Sequence, residues 1–163
     1  MVFEKLRLSD EGAVEEMSAI ATAIVREHYD PILGKEQNDY MLKKFQSYDA
    51  IRGQLEQGYR YYFVGDKAHR LGFMAFYPRG EAMYLSKLYL YKDERGKGYS
   101  RRMIDFVAAE ARAEGLSAIE LNVNRFNGSV DIYEKLGFTR IRSEKIDIGS
   151  GYYMDDYVYS LPV

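Results

Sequence analysis

Residues 95–100 read Arg95-Gly96-Lys97-Gly98-Tyr99-Ser100 and fall between a segment that reads as a strand and one that reads as a helix. Gly96 and Gly98 let backbone amides approach a ligand with no side chain in the way. The first turn of the following helix adds unpaired N–H groups and partial positive charge. Arg95, Lys97, Arg101 and Arg102 add formal positive charge. Together these features make an anion site suited to phosphate or pyrophosphate. The same short Gly-Lys-Gly turn also serves as a plain solvated connection, and the pattern leaves both readings open. Two phosphate motifs are excluded: the loop lacks the third glycine of the dinucleotide fingerprint, and no GxxxxGK[ST] occurs.

The elements that must position this loop follow from periodicity. Val2 to Leu8 reads as a short strand, with Ser9-Asp10 as a helix N-cap. Ala13, Val14, Met17, Ile20, Ala21, Ile24 and Val25 recur at helical spacing, and this helix is expected to end before Asp30-Pro31. Glu36 to Phe45 and Ile51 to Gln57 read as two further helices. The period then changes. Tyr59 to Val64, Leu71 to Tyr77 and Ala82 to Tyr91 read as three strands, and their short connections imply an antiparallel meander. After the loop comes a helix with Met103, Ile104, Val107, Ala108 and Ala111 on one face, ended by Gly115. A strand over Ala118 to Val123, a short helix over Ser129 to Leu136, and strands over Thr139 to Ile146 and Tyr153 to Leu161 close the chain. The long crossover from the Tyr91 strand to the Ala118 strand implies one parallel pairing. The fold class is α/β, or α+β under stricter labels, with a mixed, mostly antiparallel sheet of about seven strands flanked by helices.

Length and composition narrow the function. A chain of 163 residues fits a single domain spanning 1–163. With 47% hydrophobic and 29% charged residues, disordered and low-complexity classes are excluded. The absence of cysteine removes disulfides, thiolate metal sites and a Cys nucleophile. The two histidines, His28 and His69, are far apart in sequence and form no HExxH, so no metal is expected. A net charge of −2 and a pI near 5.8 argue against nucleic acid as partner. The first residues alternate apolar and charged, unlike a signal peptide, and no run is long enough to span a membrane. A soluble, cytoplasmic protein with no membrane partner is expected. Most of the 16 tyrosines are read as half-buried strand residues without a functional role.

At the loop, the sequence resembles the GNAT N-acetyltransferase superfamily, whose signature is R/Q-x-x-G-x-G/A after the fourth strand. Ser100 stands where that pattern has Gly or Ala and is small enough to keep the loop tight. A second stretch agrees, from Asn127 through Val130 and Tyr133 to Lys135-Leu136-Gly137-Phe138. Two motifs in the expected order are far more specific than either alone. The likeness extends over the whole chain and is sharpest from Lys87 to Phe138. Residues 149–158 are more weakly similar to the ending of spermidine/spermine acetyltransferase-type members.

The resemblance implies acetyl-CoA as co-substrate, with no metal. It assigns the pyrophosphate to the amides of Arg95, Gly96, Lys97, Gly98, Tyr99 and Ser100, and pantetheine pairing to the backbone of Leu88, Tyr89 and Leu90. Lys135 belongs to the same cofactor motif. Asn127 would hydrogen-bond the cofactor arm, cap the Ser129 helix, or both. Tyr133 would be the general acid for the departing thiolate; a phenol of pKa ~10 can protonate a thiolate whose acid has pKa ~8.5. The alternative for Tyr133 is a core tyrosine. Glu81 starts the strand that the family often uses for its base, and is otherwise an exposed hairpin residue. Glu27, His28, Asp155 and Asp156 are further candidates, with His28 more readily read as a cation at a helix C-terminus.

The implied activity is acetyl transfer to a primary amine by direct attack, since no Cys is present to form an acyl-enzyme. The resemblance tilts the implied acceptor toward a polyamine or another small amine. The alternatives are a protein or peptide N-acetyltransferase and a non-catalytic acyl-CoA-sensing module. Family members often dimerise, and the tyrosine-rich strands could supply the surface of a homodimer.

Overall fold

The computed structural model describes all 163 residues. The elements are β1 (Phe3–Lys5), α1 (Glu11–Leu33), α2 (Lys35–Phe45), α3 (Tyr48–Glu56), β2 (Arg60–Gly65), β3 (Arg70–Arg79), β4 (Ala82–Leu90), α4 (Tyr99–Ala113), β5 (Ala118–Asn124), α5 (Ser129–Lys135), β6 (Thr139–Gly149) and β7 (Tyr152–Pro162). A single 3-10 turn, Lys92–Glu94, follows β4. The sheet has seven strands in the order β1-β2-β3-β4-β5-β7-β6. Its parallel pairing sets Ala82, Met83 and Tyr84 against Ala118, Ile119 and Glu120. The β1–β2, β2–β3, β5–β7 and β6–β7 pairings are antiparallel. The expected class and element order both hold. No helix is long and apolar enough to cross a membrane.

The chain divides into two compact units, one of residues 1–77 and 87–99, the other of residues 78–86 and 100–163. In the first, α1 buries Val14, Met17, Ile20, Ala21 and Ile24 in one cluster with Tyr61, Phe63, Phe73 and Ala75. Each fully buried Val, Ile, Phe or Met contributes about 1.5–3 kcal/mol relative to exposure, so this stripe decides where α1 docks. Asp10 caps the helix by accepting a hydrogen bond from the Ala13 amide at 3.0 Å. In the second unit, alternate residues of β5 (Ile119, Leu121 and Val123) are buried, as are Met103, Val107 and Ala111 of α4.

Several boundaries depart from expectation: β1 spans only Phe3–Lys5 rather than Val2–Leu8, and β6 runs on to Gly149 rather than ending at Ile146. α1 does not stop before Asp30-Pro31; it continues through Pro31 to Leu33. A proline inside a helix removes the bond its N–H would make and crowds the carbonyl one turn back, and here the helix ends two residues later, at Leu33. The helix regains its termination at Gly34, whose φ of 83° ends the run and whose amide bonds Asp30 O at 3.0 Å. His28 therefore lies inside α1, edge-on to the Tyr29 ring at 4.8 Å, and is not a terminal cation. α3 begins at Tyr48 rather than Ile51, because Ser47 accepts from the Ala50 amide and starts the helix earlier.

Candidate functional site

The loop residues keep the conformation that their composition suggests. Gly96 and Gly98 adopt φ of 75° and 82°, and a Cβ at either position would meet open space. Glycine is therefore required by backbone conformation rather than by crowding. The residue before α4 is Gly98, which has no side chain to cap the helix, and the first turn of α4 carries no acidic residue. Its leading amides, with Arg101 and Arg102 exposed beside them, suit an anion. Two side chains of the loop are already engaged. Arg95 Nε donates to Leu90 O at 3.2 Å and ties the loop back to the end of β4. Glu94 accepts from Lys97 Nζ at 3.2 Å and lies 3.1 Å from His69 Nε2. The Lys97 and His69 interactions hold its carboxyl below the usual range. Glu94 thus occupies the Lys97 ammonium that an anion at this loop would meet.

Just upstream, Leu88 and Tyr89 are half-buried and Leu90 is buried. The backbone of β3 passes unusually close to this stretch. A Cβ at Gly72 would overlap the carbonyl oxygen of Tyr89, so only glycine allows the approach. Behind Leu88 lies the buried Lys87. Its Nζ donates to Phe45 O at 2.6 Å, Gln54 Oε1 at 2.9 Å and Gln46 Oε1 at 3.0 Å, and also reaches the Tyr61 hydroxyl. Burial pushes this lysine down to about 7. The residue links the α2–α3 junction to β4, and nothing in the pattern of β4 distinguishes it from an exposed lysine.

In the second unit, Asn127 is buried at the junction of β5 and α5. Its Oδ1 accepts from the Ser129 amide at 2.9 Å, and its own amide donates to Asn124 O at 2.9 Å. This bond closes a turn just ahead of α5; the N-cap position itself is Gly128, with no side-chain cap, so Asn127 is not the N-cap that its position allowed. Tyr133 is buried on α5 with its ring edge-on to Phe138 at 5.7 Å. Lys135, the last residue of α5, is exposed. Glu81 occupies the two-residue turn between β3 and β4 with an exposed side chain. Its carbonyl accepts from the Ser117 amide at 2.9 Å. Six residues of β4 separate it from Leu88, a rise of ~3.3 Å per step.

The polar residues of β5 form a constellation that single-strand reading did not assemble. Asn122 Oδ1 accepts from the Tyr84 hydroxyl at 2.9 Å, and Asn122 Nδ2 donates to Glu144 at 3.1 Å and Asp156 at 3.3 Å. The Arg79 guanidinium stacks on the Tyr84 ring at 3.7 Å. Glu144 is held below the usual carboxylate range chiefly by its hydrogen bond from Arg142. Asp156 is 2% exposed and shifts the other way, up to about 6, chiefly because burial disfavours its charge. The alternation of Glu120, Asn122 and Asn124 along β5 was legible; the cross-strand partners were not.

A mixed seven-stranded sheet with one parallel pairing, crossed by way of a glycine loop and a helix, is the fold of GNAT acetyltransferases. The family model for the acetyltransferase (GNAT) domain matches residues 29–153, well over half of the chain, and the chain belongs to that family. No curated protein sequence matches the chain significantly. Among solved structures, the PaiA N-acetyltransferase of Thermoplasma acidophilum in complex with coenzyme A is similar at 16% identity and a TM-score of 0.74, covering 100% of both chains. A GCN5-related N-acetyltransferase from Rhodopseudomonas palustris is similar at 15% identity and a TM-score of 0.79, covering 99% of this chain and 95% of that one. The ribosomal-protein-S18-alanine N-acetyltransferase of Escherichia coli reaches 16% identity and a TM-score of 0.67, covering 99% and 93%. At these identities the likeness is one of fold.

Proposed function

We propose that residues 1–163 act as one acetyltransferase domain that moves the acetyl group of acetyl-CoA to a primary amine by direct attack. The observation that carries this reading is the pair of positive-φ glycines leading into the uncapped, acid-free start of α4. Amides at a helix start with no acidic residue beside them support an anion such as a pyrophosphate. In this reading the amides of residues 95–100 hold the pyrophosphate and the backbone of Leu88–Leu90 pairs with the pantetheine arm. Asn127, in the turn ahead of α5, orients that arm. Tyr133 supplies the proton that the departing sulfur takes up. Lys135, exposed at the end of α5, adds positive charge for the cofactor phosphates. The T. acidophilum protein, whose structure contains coenzyme A, supports the same cofactor here.

The acceptor is proposed to be a small cationic amine, polyamines included. Support comes from the carboxylates Glu120, Glu144 and Asp156, which share one face of β5, β6 and β7, and from the spermidine/spermine-type ending over residues 149–158. The test is thiol release from acetyl-CoA with spermidine, glucosamine, kanamycin, an alanine-initiated peptide and a lysine peptide, with acetyl-CoA binding titrated calorimetrically. Saturable binding and turnover with at least one amine are expected. No binding of acetyl-CoA would overturn the assignment of residues 95–100. Binding without turnover on any amine would replace the enzyme with a sensing module.

A further inference from the structure

We propose that Asp156 is the general base that takes the proton from the acceptor ammonium, with the Asn122 amide holding its carboxylate in place. The inference rests on the acetyl-transfer reading and adds to it the residue that neutralises the amine.

The argument begins with register. Asp156 lies opposite Asn124 on β5 and opposite Glu144 on β6. Directly paired residues of antiparallel strands share a face, so Asn122, Asn124, Glu144 and Asp156 stand together, with Tyr84 joined to them through Asn122. The charged and titratable groups around Asp156 are Tyr84 and Arg79 from the β3–β4 hairpin, Glu120 and Arg125 from β5 and its end, Arg142 and Glu144 from β6, and Asp155 beside it.

The carboxylates of this region differ in one respect. Glu144 lies 2.8 Å from Arg142, Glu120 lies 3.8 Å from the same arginine, and Asp155 lies 2.9 Å from Arg125. Each of these three is ion-paired to a guanidinium. Asp156 is held by a neutral amide alone, at 3.3 Å. Burial therefore dominates and pushes it up to about 6, reinforced by the charges of Glu144 and Asp155 and opposed by the Asn122 hydrogen bond and Arg125. A carboxylate at 6 is still mostly ionised at pH 7 and is about a hundredfold stronger as a base than an ordinary aspartate.

The same frame carries the general acid. Arg125 N donates to Asp155 O at 3.1 Å, Asn127 N to Asn124 O at 2.9 Å, and Val130 N to Asn127 O at 3.2 Å. These backbone bonds connect the strand bearing Asp156 to the helix bearing Tyr133.

The proton balance closes. The acceptor R–NH3⁺ gives one proton to the Asp156 carboxylate, which passes it to water. The freed nitrogen lone pair attacks the thioester carbonyl carbon, the C–S bond breaks, and the sulfur leaves as thiolate. That thiolate takes a proton from Tyr133, which recovers it from the second proton lost by the nitrogen. The products are R–NH–CO–CH3, CoA–SH and one H⁺.

The test is the pH dependence of kcat/KM for wild type, Asp156→Asn and Glu144→Gln, with spermidine first and the other amines of the panel as alternates. Wild type should show an acid limb near pH 6. Asp156→Asn should lose ~10²-fold or more at pH 7.5, lose that limb, and bind acetyl-CoA within about twofold of wild type. Glu144→Gln should move the limb to lower pH, because removing a nearby negative charge makes Asp156 more acidic. A limb in Asp156→Asn like that of wild type, with rates within about threefold, would overturn the proposal. So would a limb in Glu144→Gln that stays put, and this second variant decides the matter if Asp156→Asn fails to fold. Both results leave acetyl transfer standing. Failure of wild type itself to turn over any amine removes the acetyl-transfer reading and Asp156 with it.

Discussion

Replacing Lys87 with methionine separates two forces that meet at one buried nitrogen. The ammonium faces oxygens of Phe45, Gln46, Gln54 and Tyr61, all of which favour keeping its proton. Burial opposes them and lowers the pKa from 10.5 to about 7. A folded-state value below the unfolded one means that the unfolded chain binds more protons between about pH 7 and pH 10.5. Stability contributed by this group is therefore complete above about pH 10.5 and is lost as pH falls toward 7. Integrated from pH 7 to pH 9, wild type should gain about 2 kcal/mol that Lys87→Met does not. For a chain of this size that is roughly 4–8 °C in Tm. The readout is the difference in slope between the two proteins, because methionine also leaves Gln46 Oε1 without its Nζ donor and shifts the absolute stability. Urea melts at pH 7, 8 and 9 give the comparison, and exposed lysines cancel in it. Parallel curves would refute the reasoning: the four oxygens would then hold the proton against burial.

Three further outcomes follow from the site. Tyr133→Phe should lower kcat by ~10²-fold with acetyl-CoA affinity nearly intact; an unchanged kcat in a stopped-assay time course removes Tyr133 from the chemistry. Gly72→Ala should weaken acetyl-CoA binding and lower Tm together, because a methyl at that point displaces the Tyr89 carbonyl and with it the strand proposed to pair with pantetheine. A destabilisation of about 1–3 kcal/mol is expected, and a variant with wild-type Tm and affinity would show that β4 has room. Glu94→Gln should tighten acetyl-CoA binding severalfold at low salt by releasing Lys97. The gain should shrink as ionic strength rises, and calorimetry showing no gain at any salt would mean that Lys97 does not reach the ligand.

The sheet region shows where local pattern suffices and where it stops. The helical spacing of Met103, Ile104, Val107, Ala108 and Ala111 and the alternation of β5 each state which side must be buried, and all five helical residues are buried. Turn chemistry was equally readable, since Gly96, Gly98, Gly115 and Gly137 all adopt the positive φ that ends or tightens a segment. Asp30-Pro31 misled because the restriction on a residue before proline is a bias that one more turn of packed helix overrides. Ser47 was missed as a cap because it precedes Tyr48 and Asp49, which carry no apolar period of their own.

The element order, the single crossover, the glycine loop before α4 and the Asn127–Tyr133 stretch can all be read from the sequence. These depend on residues within a few positions of one another, and backbone conformation and side-chain period act at that range. Tertiary contacts alone bury Lys87 among oxygens from the α2–α3 region and β2, and leave Asp156 without the direct arginine ion pair that Asp155 beside it makes. Both facts depend on desolvation and on hydrogen-bond partners 26 to 42 residues away. The charge of a buried group answers to whatever long-range folding places around it, and a linear pattern of residue types carries no record of that.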